Sequence, residues 1–287
     1  MMSILFAFPG YELFADRIQD NPSFSGGDFT ISSFPDRESL VTIHTDVKDK
    51  EVIIVCGLDR PNEKVIPILF FSHLAQELGA KRVGLIAPYL GYLRQDKRFS
   101  PGQAITSKTF AQLLSSHVDW LTTIDPHLHR YKSLNEIYTI PTTVLHTAPI
   151  VGSWVKDNVE NPILIGPDEE SLQWVQEVAE HAESPFIVLK KTRALDGTVE
   201  VSAPDLETHR DHTPVLVDDI ISTAQTMIKT VGHLREFGMK PAVCVGIHAI
   251  FAGDAHNALK DAGAGQIVTT NTIQHETNEI DVSVLFG

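Results

Sequence analysis

Short Val/Ile-rich runs alternate with longer helical patterns along most of this chain, and this alternation restricts the possible folds more than any other feature. In the first half, residues 51–55, 67–78, 82–87, 106–115 and 120–124 read in turn as strand, helix, strand, helix, strand. The pattern resumes after Pro141 with 162–165, 169–182, 186–189, 215–217, 223–237, 242–247 and a final helix near 255–262. Strands that are apolar at successive positions are buried on both faces, and strands joined through helices run parallel. The expected class is therefore α/β, with two successive units, each a mainly parallel sheet flanked by helices. Two prolines interrupt the pattern between Thr139 and Pro149, which places the boundary there and gives domains 1–145 and 146–287. The first 45 residues differ: strands are expected at 4–8 and 40–44, and 26–45 suits a projecting hairpin or sheet edge.

Composition narrows the function. The 287 residues are 43% hydrophobic and 8% aromatic, enough for two globular domains of ordinary size. A formal charge of −14 argues against broad binding to nucleic acid or anionic membrane, both of which need a net basic face. Anionic substrates must then be met by local basic clusters and metal. Cys56 and Cys244 sit in apolar strand-like runs, where a thiol behaves as a small hydrophobe, so no disulfide framework is expected. No basic-then-apolar segment opens the chain and no apolar run approaches the roughly 20 residues that cross a bilayer, so the expected location is the cytoplasm.

The strand expected at 215–217 ends in Asp218 and Asp219, followed by Ser222, Thr223, Ala224, Gln225 and Thr226 at the opening of a helix. Carboxylates at the end of a buried strand can bind vicinal ribose hydroxyls. The amides of residues 222–226, the hydroxyls and the helix dipole favour a phosphate. Read without its context, the same stretch is a strand end and a helix cap. In the first half, Arg94, Lys97 and Arg98 gather beside Gln95 and Asp96 after a Pro/Gly turn. Arginine stacks on a base and forks onto phosphate, which makes this a candidate nucleotide site, although a bare charge run also suits a solvated loop. Asp168 follows a strand and opens a helix, where capping and metal binding are equally open on local grounds. Lys190, Lys191 and Arg193 leave another strand ahead of an Asp196–Gly197 turn, in the manner of a basic flap.

The Asp218–Thr226 loop resembles the phosphoribosyl-diphosphate loop shared by type I phosphoribosyltransferases and ribose-phosphate pyrophosphokinases. The run from Tyr92 to Arg98, with Ile105 to Lys108 after it, resembles the ATP-binding stretch of the pyrophosphokinases alone. Further matches keep that family's order: Phe34, Asp36 and Glu38; Asp125 and His127; Lys191 and Arg193; the segments at 246–253 and 269–274. The resemblance spans about residues 3–275 and implies two tandem phosphoribosyltransferase-like (type I) domains. It implies transfer of the β,γ-diphosphoryl group of ATP to ribose 5-phosphate, with Mg²⁺ as cofactor. It further implies ATP contacts at Phe34, Asp36, Glu38, Arg94, Gln95 and Asp96, and ribose 5-phosphate contacts at Asp218, Asp219 and 222–226. Metal ligation falls to His127 and Asp168 and catalysis to Lys191 and Arg193. By its residues alone His127 reads as a loop residue or, with His129, half of a zinc pair. The Phe34 loop implies a homo-oligomer in which it reaches a neighbouring site.

Three residues depart from the usual family wording. Ser222 stands where many members carry a third Asp and resembles the archaeal-type branch. Gln225 replaces a Gly, which leads to the expectation of a tilted or narrowed phosphate cup. Phe99 replaces an acid. The competing readings are a non-catalytic homologue that binds nucleotide or sugar phosphate to regulate an active relative, and a phosphoribosyltransferase acting on a base. Retained metal and flap residues argue against the first, and the ATP stretch at 94–98 against the second.

Overall fold

The computed structural model describes residues 2–167, 171–193, 199–202 and 206–286. Two compact units emerge. The first comprises 1–145 together with 272–274 and 283–287; the second comprises 146–271 and 275–282.

In the first unit, β1 (Ser3–Ala7), β2 (Phe24–Gly26), β5 (Glu51–Val55), β6 (Arg82–Ala87), β7 (Trp120–Ile124) and β8 (Thr142–Leu145) form one sheet in the order β2-β1-β5-β6-β7-β8. Every pairing in it is parallel. Its central strands are the predicted apolar runs: Val52, Ile53, Ile54 and Val55 are all buried, as a strand covered on both faces requires. Helix α1 (Glu12–Gln19) follows β1, and helix α2 (Pro61–Glu77) packs Val65, Ile68, Phe71 and Ala75 inward. It begins six residues before the predicted position, with Pro61 in its first turn, where the missing N–H costs nothing. Pro67, expected to open the helix, is instead buried within it. Helix α3 (Thr106–Ser115) follows β6 as the pattern predicts.

The hairpin expected around 26–45 is β3 (Phe29–Ser33) paired antiparallel with β4 (Ser39–Ile43), a sheet of its own. Phe29, Ile31, Val41 and Ile43 lie against the core of the unit. The Phe29 ring sits 5.8 Å from Phe6 and 5.2 Å from Phe71, both edge-on, so an aromatic cluster anchors the hairpin while its tip stays outside.

In the second unit, β9 (Pro162–Gly166), β10 (Phe186–Val188), β13 (Thr213–Ile221), β14 (Val243–Ala249), β15 (Gln266–Thr270) and β16 (Asn278–Ile280) give the order β10-β9-β13-β14-β15-β16, again wholly parallel. Helices α4 (Ala148–Asn158), α5 (Leu172–Ala182), α6 (Gln225–Glu236) and α7 (Ala255–Asp261) accompany it. Met227, Val231 and Leu234 on α6 meet Leu216 and Cys244 in this unit's core. Two further strands, β11 (Lys190–Arg193) and β12 (Val199–Ser202), pair antiparallel apart from the main sheet. Pro141 immediately precedes β8 and Pro149 lies in the first turn of α4, so the two prolines read as interruptions in fact start two elements. Among the described residues no helix is long and apolar enough to cross a membrane.

Candidate active site

Both sheets reverse their winding once. In the second unit the chain goes from β9 through α5 out to β10 on one side, whereas β13 lies on the other side of β9. The crevice at the carboxyl ends of β9 and β13 is thus the switch point, the place where an open α/β sheet receives ligands. The ladder of β13 to β9 runs from Thr213 to Leu216, while its ladder to β14 continues to Ile221. Strand β13 therefore runs on past the end of β9 and carries Asp218 and Asp219, both half-buried, on its protruding end. Buried Val215, Leu216 and Val217 anchor the same strand below them.

Beyond Ile221 the chain turns through half-buried Ser222 and exposed Thr223 into α6. Ala224 caps the helix in the left-handed region, at φ 56°. Its carbonyl accepts from the Ile228 amide at 2.8 Å. The first-turn N–H groups of α6 then open beside the hydroxyls of Ser222, Thr223 and Thr226, a setting that favours an anion. Gln225 is the first residue of the helix and its side chain is exposed. The left-handed residue of the turn is Ala224, one position before Gln225.

The turn is held from the next strand. The amides of Phe251 and Ala252 donate to the carbonyls of Ile221 and Ser222 at 2.8 and 3.0 Å. The Phe251 ring lies 4.5 Å from the imidazole of His275 and 5.2 Å from that of His256, and the two imidazoles are 5.1 Å apart. Burial depresses the pKa of His256, Lys260 adds to the effect, and Glu276, 3.1 Å away, opposes it. His275 is depressed by burial and then by His256, again against Glu276. Sequence reading missed this cluster, since residues 251, 256 and 275 form no local pattern. His248 is buried in β14.

In the first unit the switch point lies between β1 and β5, and it is filled. The Tyr11 hydroxyl approaches both Asp59 Oδ1 and the Thr272 carbonyl at 3.1 Å. Lys64 donates to Asp59 and, at 2.8 Å, to the Gly57 carbonyl. Gly57 is required here, because a Cβ would collide with the Tyr11 hydroxyl. Burial raises the Tyr11 pKa well above its ordinary value and Asp59 reinforces the shift, so the phenol stays neutral.

The predicted nucleotide residues lie in two places, the loop after β6 and the tip of the β3–β4 hairpin. Arg94 is exposed and Gln95 half-buried, with the Gln95 carbonyl accepting from the Ser107 amide at 3.4 Å. Asp96 is buried and receives Arg130 Nη1 at 2.7 Å. His127 is half-buried in the loop after β7, next to buried Asp125, whose amide donates to the Leu145 carbonyl at 3.0 Å. Phe34 stands 52% exposed at the β3–β4 tip, with Asp36 and Glu38 also exposed. The tip is a hydrogen-bonded turn: the Phe34 amide donates to the Glu38 carbonyl at 2.9 Å, and Arg37 adopts φ 72°.

Lys191 and Arg193 lie in β11, opposite Val201 and Val199 of β12, but their side chains lie outside the described residues, as does all of Asp168. Among the described residues no group of three His, Cys, Asp or Glu side chains is arranged to hold a metal.

Two parallel sheets with an acidic strand end and a helix N-terminus at a switch point define a phosphoribosyltransferase-like class. The model of the phosphoribosyl transferase domain matches residues 133–286, and that of the N-terminal domain of ribose phosphate pyrophosphokinase matches 3–117. A ribose-phosphate pyrophosphokinase of Saccharolobus solfataricus is 30% identical over 251 residues, 86% of this chain and 85% of that protein. Ribose-phosphate pyrophosphokinase 2 of Archaeoglobus fulgidus is 29% identical over 280 residues, 97% of each chain. The crystal structure of phosphoribosylpyrophosphate synthetase from Mycobacterium smegmatis shares the fold, with a TM-score of 0.84 over 99% of this chain and 96% of that one, at 21% identity. The chain belongs to the ribose-phosphate pyrophosphokinase family.

Proposed function

We propose that this chain transfers the β,γ-diphosphoryl group of ATP to the C1 hydroxyl of ribose 5-phosphate, releasing AMP and 5-phosphoribosyl 1-diphosphate. The observation that carries the reading is the protruding end of β13, where two half-buried carboxylates lead directly into an anion-favouring helix N-terminus at the switch point. Asp218 and Asp219 accept hydrogen bonds from the ribose hydroxyls, and residues 222–226 hold the 5-phosphate. The sugar is thereby fixed with its C1 hydroxyl outward. That oxygen forms a bond to the β-phosphorus, the bond to the α,β-bridging oxygen breaks, and AMP departs with the bridging oxygen. No side chain is assigned as general base. The work lies in positioning and in charge stabilisation.

On the nucleotide side, Arg94 and Gln95 hold ATP. Phe34 stacks on the adenine of a neighbouring copy, with Asp36 and Glu38 at its edge, in a cytoplasmic homo-oligomer. Asp96 belongs to the same loop. Lys191 and Arg193 neutralise charge on the group in transit. The residues suit Mg²⁺: one imidazole held at the carboxyl end of β7 and one carboxylate at Asp168 are a modest protein share for an ion that takes most of its oxygens from phosphates and water. When bound, Mg²⁺ would supply electrostatic relief of the polyphosphate. Incubation of the full chain with ATP, Mg²⁺ and ribose 5-phosphate, resolved by chromatography, should yield AMP and 5-phosphoribosyl 1-diphosphate in equal amounts. Release of ADP, or no product from an oligomeric sample supplied with phosphate, overturns the assignment.

A further inference from the structure

The nucleotide loop has a fastening that the sequence did not announce. Arg130, on the loop that carries His127, donates from Nη1 to Asp96 Oδ1 at 2.7 Å. The Asp96 side chain is only 2% exposed, and its second oxygen, Oδ2, is buried without a hydrogen-bond partner. An exposed ion pair contributes little, but a buried carboxylate with a single cationic partner depends on that partner. The same guanidinium lies 5.9 Å from the Phe99 ring, whose other neighbour is Lys97 Nζ at 5.2 Å. Tyr131, the next residue, donates its hydroxyl to the Asp96 carbonyl at 3.3 Å and shares a hydrogen bond with Ser107 Oγ at 3.1 Å. Ser107 returns to the loop through its amide, which donates to the Gln95 carbonyl. Farther along, Gln103 Oε1 accepts from the amides of Phe99 and Ser100, and the Gln103 carbonyl accepts from Arg98 Nε at 2.9 Å.

We propose that Arg130 is a positioning residue for nucleotide binding: by pinning Asp96 and Phe99 from the loop that bears His127, it sets the approach of Arg94 and Gln95 to ATP. The proposal rests on the assignment of residues 94–95 to ATP made above. It moves Asp96 from contact to support, because its carboxylate is turned inward onto Arg130 and not toward solvent. It also gives Phe99 a role, as the ring on which the guanidinium rests.

The test compares Arg130→Gln, Arg130→Lys and the double variant Asp96→Asn/Arg130→Gln, in which a neutral amide pair replaces the ion pair. ATP affinity is read by calorimetry on the full chain, and turnover separately. Arg130→Gln should weaken ATP binding and raise KM for ATP about 10- to 100-fold, as expected for a displaced binding group, with KM for ribose 5-phosphate within about twofold. Arg130→Lys, which keeps the charge but loses the planar fork, should fall between wild type and Arg130→Gln. The double variant should recover at least about tenfold of the lost affinity. If Arg130→Gln does not fold, the lysine and double variants carry the same comparison. Wild-type ATP affinity in Arg130→Gln overturns the proposal, as do equal KM increases for both substrates or a double variant no better than the single one. Failure of the transfer assignment looks different: wild type would bind ATP, and lose that binding on Arg130→Gln, without forming product.

Discussion

Asp219 and Lys191 are assigned separate tasks, and substitution separates them. Asp219→Ala removes an acceptor for the ribose hydroxyls and should raise KM for ribose 5-phosphate about 10- to 100-fold, the loss expected for hydrogen bonds to a charged group, with less change in kcat. Lys191→Ala removes a cation needed most as charge moves and should lower kcat about 100- to 1000-fold with little change in KM. Steady-state kinetics on both substrates checks this, and matching defects would mean the roles are misassigned. A candidate such as Asp219 stands out in the sequence because its neighbours point to one kind of ligand: an acid pair, then hydroxyls, then a helix start. Arg130 and His275 were not legible, since each meets a residue far along the chain, Asp96 and Phe251 respectively. The cysteines behaved as their apolar surroundings predicted: burial pushes the thiols of Cys56 and Cys244 up to about 12, which keeps both inert.

Among elements, the central strands were the easiest to read, because burial on both faces leaves an unbroken apolar signature at 51–55 and 82–87. Edge strands such as β2 and β16 carry only three residues each and left no such signature. Proline misplaced one helix start, because α2 opens at Pro61 and carries Pro67 inside it. Two imidazoles, one on α7 and one between β15 and β16, add a dependence on pH. His256 and His275 have folded-state pKa values below the unfolded 6.5. The unfolded chain therefore takes up more protons in mild acid. Stability is at its full value above pH 6.5 and falls as pH drops below that point toward the depressed folded values. Thermal unfolding should show a lower midpoint at pH 5.5 than at pH 7.5. The double variant His256→Gln/His275→Gln should lose part of that slope; an unchanged slope would clear the pair of any role. Because Phe251 is packed against these rings and bonded to Ile221, the effect falls on the segment that supports the turn into α6.

At the scale of the molecule, the two sheets use the same winding to opposite ends. One switch point presents Asp218 and Asp219, while its counterpart is occupied by Tyr11, Asp59 and Lys64. Tyr11→Phe should cost about 1 to 2 kcal/mol, because one hydroxyl proton shared between Asp59 and the Thr272 carbonyl is lost. Calorimetry should register a midpoint lowered by roughly 2 to 8 °C, and an unchanged midpoint would show that the contact adds nothing to stability. That carbonyl belongs to 272–274, which joins the first unit, as do residues 283–287, where Phe286 meets Phe14 edge-on at 5.8 Å. Alternation of strands and helices could not reveal this return, since it involves a handful of residues outside any long element. Its consequence is one of timing. A ribosome adding about 5 to 20 residues per second needs on the order of 6 to 25 s to travel from Leu145 to Thr272. For that interval the nascent first unit lacks the peptide that Tyr11 grips, and it is completed only once Thr272 has been made.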